Sequence, residues 1–241
     1  MIAGAALFDV FGTLVDWRRG VVEALAAIFV EYRISADPAA LADAWRAAYE
    51  PSMAPIREGR RAYVALDVLH RENLDRVLAA EGLAGRLPGS VLDDLARCWE
   101  RLPAWEDTAP GLAAIRALMP VAPCSNGSIG LMLRLARHAG LGWDAILGAE
   151  IARNYKPASE VYRVSCAALR LPPEDVLMVA AHNGDLAAAQ AQGLRTAFVP
   201  RPLEHGPGGA AELVPEGDWD LVAPDLRTLA GLLWTRVAPT G

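Results

Sequence analysis

The spacing of apolar positions along this chain changes twice. Residues 3–8 form a short continuous apolar run, the pattern of a buried strand, and it stops at Asp9 and the turn-forming pair Gly12-Thr13. From about Trp17 to Trp99 apolar residues recur three and four apart, which predicts amphipathic helices over 20–32, 38–50, 63–82 and 90–102. Ser90, three residues before Asp93, is placed to cap the last of these. Residues 102–111, with two prolines and a glycine, read as a return linker. Beyond it, short apolar runs at 121–125, 145–150, 176–181 and 196–200 predict strands, alternating with helical patterns at 129–140, 159–170 and 185–194.

Alternation of that kind predicts an α/β fold, a doubly wound parallel sheet with a Rossmann-like core. The core is expected from residues 1–16 and 101–241, and the helical stretch 17–100 becomes an insertion directly after the first strand. Ligands of such sheets bind at the carboxyl ends of the strands, so the insertion sits where a cap over an active site belongs.

Composition narrows the function classes. Hydrophobic residues make up 53% and charged residues 22%, which suits a packed core. A net charge of −6 offers nucleic acid no basic surface, and acids interrupt the cluster Arg57, Arg60 and Arg61 as on a solvated helix face. Three cysteines, Cys98, Cys124 and Cys166, form no CxxC pair, which fits a reducing compartment without structural disulfides or zinc. No positive residue precedes the apolar run that Asp9 interrupts, so no signal peptide is expected, and no apolar stretch approaches the roughly 18 residues that span a bilayer. A cytoplasmic protein without membrane association is the expectation. Dinucleotide, Walker A, HExxH and GxSxG signatures are absent from the sequence.

Four sites carry candidate chemistry, and each has a bland reading. Asp9 ends a buried strand, where an acid needs solvating groups, and it can equally cap its own turn. Ser125-Asn126-Gly127 offers a hydroxyl, a carboxamide and free amides to an anion, or is a plain turn. Lys156, before Pro157, can reach strand ends or stay solvated, and Asp185 can act in a site or cap a helix. Taken together, acid, hydroxyl, lysine and acid each follow a different strand-like run, an order that unrelated turn residues rarely produce.

On these residues the chain resembles the haloacid dehalogenase superfamily over nearly its whole length, with Asp9-Val10-Phe11-Gly12-Thr13, Ser125-Asn126, Lys156-Pro157 and Asp185 as its four motifs. Phosphatases of that superfamily carry a second aspartate where Phe11 stands, and paired acids in the fourth motif that complete a magnesium shell. Phe11 removes the proton donor, and Asp185 is the only acid of its motif, too few oxygen ligands for a hard divalent cation. The detail resembles the type II 2-haloacid dehalogenases: an aromatic residue at 11, Ser125-Asn126-Gly127-Ser128, a Tyr155-Lys156-Pro157 segment running to Tyr162, and a Trp45-Arg46 pair in the cap.

The resemblance implies hydrolysis of short 2-haloalkanoic acids, most naturally the (S) enantiomer, with inversion and without metal or other cofactor. It makes Asp9 the nucleophile, Thr13 and Lys156 its supports, and Asp185 the group that handles the hydrolytic water. Ser125 and Asn126 grip the substrate carboxylate, Arg46 and Asn126 face the halide, and Phe11 and Tyr162 wall the pocket. A homodimer would also resemble the family. One departure stands out: where the family often reads SSNAWD, this chain has Ala180-Ala181-His182-Asn183-Gly184-Asp185, so His182 replaces an asparagine and Gly184 a bulky aromatic residue. A ring at 182 can contact halide or the hydrolytic water, or be a buried, satisfied imidazole. The rival readings are a phosphatase or phosphonate hydrolase on the same fold and a non-catalytic binding protein.

Overall fold

The computed structural model describes residues 3–209 and 211–237; residues 1, 2, 210 and 238–241 of the expected core segments lie outside the described residues. The chain opens with β1 (Ala5–Phe8) and then makes five helices: α1 (Trp17–Glu31), α2 (Pro38–Ala47), α3 (Tyr49–Arg57), α4 (Leu66–Ala80) and α5 (Gly89–Ala96), the last running into a 3-10 turn over Arg97–Glu100. Asp16 and Asp37 cap α1 and α2, each accepting a backbone N–H of the first turn, at 3.0 and 2.8 Å. Then follow α6 (Thr108–Arg116), β2 (Val121–Ser125), α7 (Ile129–Ala139), β3 (Leu147–Gly148), α8 (Ala149–Ala152), α9 (Ser159–Leu169), β4 (Val176–Ala180), α10 (Asn183–Gln190), β5 (Arg195–Phe198), β6 (Leu221–Val222) and α11 (Leu226–Val237).

Four local expectations change. The helix expected over 38–50 is two helices, because Pro51 has no N–H to return to the carbonyl of Ala47 and its ring crowds that turn. Ser90 lies inside α5, whose N-cap position is Pro88, and makes no capping bond. Part of the expected linker is α6: Pro110 falls in its first turn, where a missing N–H costs nothing. The strand expected over 145–150 contracts to Leu147–Gly148, since the chain turns at Gly148, at a φ of +109°, to begin α8.

Among the described residues six strands, all parallel, form one sheet in the order β3-β2-β1-β4-β5-β6. β1, β2 and β4 are buried along their whole length, as strands covered on both faces must be. Alternation divides them: Ala6 and Phe8 of β1 pack with α6, α7 and α11 through Leu112, Leu135 and Leu229, while Leu7 packs with α9 and α10 through Val161 and Leu186. In register Phe8 faces Pro123 of β2 and Val179 of β4, so the chain leaves all three strands at one level, just where Asp9, Asn126 and His182 begin.

The inserted helices continue the first of those two cores. Trp17, Trp45 and Trp99 are buried with Phe11 and His70 in one aromatic cluster, and Phe11 meets Trp99 edge-on at 5.6 Å. Tyr155 Oη donates to the Val64 carbonyl at 2.7 Å and Arg57 to the Lys156 carbonyl at 3.3 Å, tying insertion to core. Arg57, Arg60 and Arg61 pair with Glu50, Glu58 and Glu72, but they do not form the solvated helix face expected of them. The Arg57 side chain is only 16% exposed against the core, and Arg60 and Arg61 lie beyond the end of α3. The three cysteines are free and buried. Among the described residues no helix is long and apolar enough to cross a membrane.

Candidate active site

A cavity of about 260 Å³ opens between the strand ends and the inserted helices, and Asp9, Phe11, Arg46, Asn126, Lys156, Tyr162, His182 and Asp185 all line it. Eight of the ten residues singled out in the sequence therefore meet. Thr13 and Ser125 stand behind the wall: Thr13 touches Asp9, whereas the Ser125 hydroxyl accepts the Gly127 N–H at 3.1 Å and steadies the turn that presents Asn126.

Asp9 is 7% exposed. Its Oδ1 accepts from Lys156 Nζ at 2.8 Å, its Oδ2 accepts from Thr13 Oγ1 at 2.8 Å, and His182 Nδ1 lies 3.2 Å from the same Oδ2. Thr13 is itself fixed, because its hydroxyl accepts the Ala181 N–H at 2.9 Å. Lys156 Nζ also donates to Asp185 Oδ2 at 2.5 Å, and Tyr162 donates to Asp185 Oδ1 at 2.5 Å. The backbone N–H of Lys156 is held by Asn126 Oδ1 at 2.8 Å, which joins the second and third motifs. His182 Nε2 lies 3.0 Å from both oxygens of Glu204. The result is a row of alternating charges, Asp185, Lys156, Asp9, His182, Glu204.

Each charge is set by its neighbours. Burial opposes ionisation of Asp9, yet the Lys156 ammonium and the hydrogen bond from His182 hold its carboxyl well below the usual range. Burial likewise disfavours the Lys156 ammonium, and Asp185 and Asp9 overcome it and hold it well above its ordinary value. Burial raises Asp185, against the attraction of Lys156. Across the cavity Arg46 lies over the Tyr49 ring, 4.4 Å from its centroid, and its Nη1 is buried with no hydrogen-bond partner. Behind it His70 stacks on Trp99 at 4.3 Å; burial, with Arg46 adding to it, holds that ring neutral.

This arrangement of a buried carboxylate, a bridging lysine and a second acid has relatives. The model of a family of hydrolases, the haloacid dehalogenase-like hydrolases, matches residues 4–193. The chain belongs to the haloacid dehalogenase-like hydrolases. It is 30% identical over 203 residues to the (S)-2-haloacid dehalogenase of Xanthobacter autotrophicus, covering 82% of this chain and 75% of that one. The crystal structure of a defluorinating L-2-haloacid dehalogenase superposes with a TM-score of 0.94 at 47% identity, covering 96% of this chain and 95% of that chain. A structure of the L-2-haloacid dehalogenase from Xanthobacter autotrophicus with chloropropionic acid covalently bound matches at 26% identity and a TM-score of 0.80, over 97% and 99% of the two chains. Within the haloacid dehalogenase-like family this chain is thus a hydrolase acting on carbon–halide bonds, with the Rossmann-like core and helical cap of those dehalogenases.

Two residues of this haloacid dehalogenase-like site escape the motif reading. Tyr49 lines the cavity from the first turn of α3. Glu204, 3% exposed, comes from the loop after β5, stands behind His182 and accepts from Trp17 Nε1 at 3.2 Å. Gly12 makes room for it: at a φ of +87°, an ideal Cβ there would stand 2.1 Å from Glu204 Oε1. The sequence held a signal, an acid in Arg201-Pro202-Leu203-Glu204-His205 just past a strand's carboxyl end.

His182 carries a pH prediction. Burial pulls the ring's pKa down, but hydrogen bonds to Asp9 and Glu204 raise it from 6.5 to about 10. A raised folded-state value stabilises the fold fully below pH 6.5 and loses that contribution as pH climbs through about 10. Between pH 7 and 10 the melting temperature should therefore fall further in the wild type than in His182→Asn. Parallel curves would show that the ring is not held charged.

Proposed function

We propose that the protein hydrolyses short (S)-2-haloalkanoic acids to 2-hydroxy acids with inversion, through an aspartyl ester on Asp9, with residues 17–100 acting as the cap over core segments 1–16 and 101–241. The observation that carries this reading is the pairing across one cavity of a desolvated carboxylate, Asp9, with a buried guanidinium nitrogen of Arg46 that has no partner of its own. A buried donor without an acceptor is costly unless a ligand satisfies it. A departing halide or a substrate carboxylate does so, and the apolar face of Phe11 suits the carbon chain between them. Asn126, with Ser125 steadying its turn, takes the remaining carboxylate oxygen, and Tyr162 and Lys156 set Asp185 toward the water that opens the ester. Halide leaves as an anion, so the chemistry needs no acid where Phe11 stands.

The residues present do not fit the magnesium of the phosphatase relatives. Lys156 Nζ lies between Asp9 and Asp185, within 2.8 Å of the one and 2.5 Å of the other, where a divalent cation would have to bind. Among the described residues no group of three or more histidines, cysteines or acids is placed to hold a metal ion. Halide release from chloro-, bromo- and fluoroacetate and from (S)-2-chloropropionate should therefore survive exhaustive chelation. Loss of turnover with EDTA, restored by magnesium together with hydrolysis of nitrophenyl phosphate, would replace the dehalogenase by the phosphatase.

A further inference from the structure

The two oxygens of Asp9 are not equivalent. A carboxylate oxygen offers two lone pairs. Oδ2 is faced by two groups, Thr13 Oγ1 at 2.8 Å and His182 Nδ1 at 3.2 Å, while among the described residues Oδ1 accepts from Lys156 Nζ alone, at 2.8 Å. Thr13 already accepts the Ala181 N–H, so its single proton points at Oδ2. His182 is committed in the same direction, because Nε2 lies 3.0 Å from both oxygens of Glu204 and Nδ1 faces Asp9. Carboxylates only accept, so a doubly protonated ring donates Nε2–H to Glu204 and Nδ1–H to Asp9. Both ring nitrogens are thus engaged, and neither is left for halide.

We propose that Oδ1 of Asp9 is the attacking atom and that Thr13 and His182, with Glu204 behind the ring, form an oxyanion hole at Oδ2 for hydrolysis of the ester. In this role His182 is a catalytic residue of the second step and Glu204 a positioning residue. The inference rests on the dehalogenase reading above and deepens it.

The steps balance. In the first, an Oδ1 lone pair forms the bond to carbon-2 of the haloacid, and the carbon–halogen bond breaks with its electrons leaving on halide. Oδ2 becomes the carbonyl oxygen of the ester. In the second, water attacks Cγ of Asp9 and Asp185 accepts one of its protons. The carbonyl π pair moves onto Oδ2, whose new charge meets the O–H of Thr13 and the N–H of His182. When the intermediate collapses, the Cγ–Oδ1 bond breaks and the alkoxide takes the proton back from Asp185. The product 2-hydroxy acid carries the old Oδ1. Asp9, holding the water's oxygen, releases the remaining proton to solvent.

Donors fixed in advance on a developing oxyanion lower the barrier because they need not reorganise, and losing one typically costs about 10²–10³ in rate. In the first step the same donors hold the ground-state carboxylate and bring no acceleration. The two steps should therefore respond differently to these side chains.

Rapid-quench kinetics with chloroacetate on the wild type, His182→Asn and Glu204→Gln separates them. In both variants one equivalent of chloride per active site should appear at close to the wild-type rate. Steady turnover should then fall by about 10²-fold or more, and the peptide containing Asp9 should accumulate as its carboxymethyl ester. Burst and turnover falling together, with no ester on the peptide, would overturn the assignment, as would turnover at the wild-type rate. Should either variant not fold, nitrogen-15 NMR of the wild type decides: His182 should carry protons on both nitrogens at pH 8, and a neutral ring there overturns the proposal. A wild type that frees no halide from any haloacid brings down the underlying function as well, whereas an active wild type with unchanged variants brings down the oxyanion hole alone.

Discussion

Asp9→Asn should stop halide release, with kcat reduced by about 10⁴-fold or more. A carboxamide is a poor nucleophile, and the substitution also leaves Lys156 and His182 facing a neutral group in a buried site. The label test separates covalent catalysis from a general base. With enzyme in excess over substrate in oxygen-18 water, the first turnover should place the label in the peptide containing Asp9 and leave the hydroxy acid nearly unlabelled. Labelled product with an unlabelled Asp9 peptide would refute the ester, even if the substrate class stood.

The second large effect falls on stability. Lys156→Met removes the cation that bridges Asp9 and Asp185, both of whose side chains are about one-tenth exposed. Breaking a buried ion pair by deleting one partner costs about 3–5 kcal/mol, because the charges left behind lose their compensation. For a chain of this size that is a fall in melting temperature of about 6–20 °C, with dehalogenation lost as well. Adding Asp185→Asn should restore part of the melting temperature and none of the activity, since it relieves the repulsion and removes the group proposed to handle water. A Lys156→Met protein as stable as the wild type would show that the three charges are not coupled as their distances imply.

Much of this molecule could be read from residue spacing. The continuous apolar runs of β1, β2 and β4 are buried on both faces, and the functional residues follow at the carboxyl ends of the strands, as parallel-sheet geometry requires. Local pattern failed where one residue overrode the period: Pro51 splits a helix, and Pro110 sits harmlessly in a first turn. It failed for a different reason at Glu204. Whether an acid is buried depends on its partners, and here they are His182, 22 residues away, and Trp17, 187 residues away. No window along the chain contains that information. His182 stood in a motif, but its place against the Asp9 carboxylate also needed Glu204 in view.

The two glycines at this site have opposite prospects under mutation. Gly12 is closed to change: its backbone is left-handed and Glu204 fills the space that any side chain would need. Gly184 stands on the cavity wall in α10, and a Cβ built there meets nothing within 4 Å. A single codon change at 184 can therefore narrow the cavity with a first carbon that meets no other atom. Selection for a shorter haloacid, in nature or in the laboratory, has an adjustable position beside the buried charges.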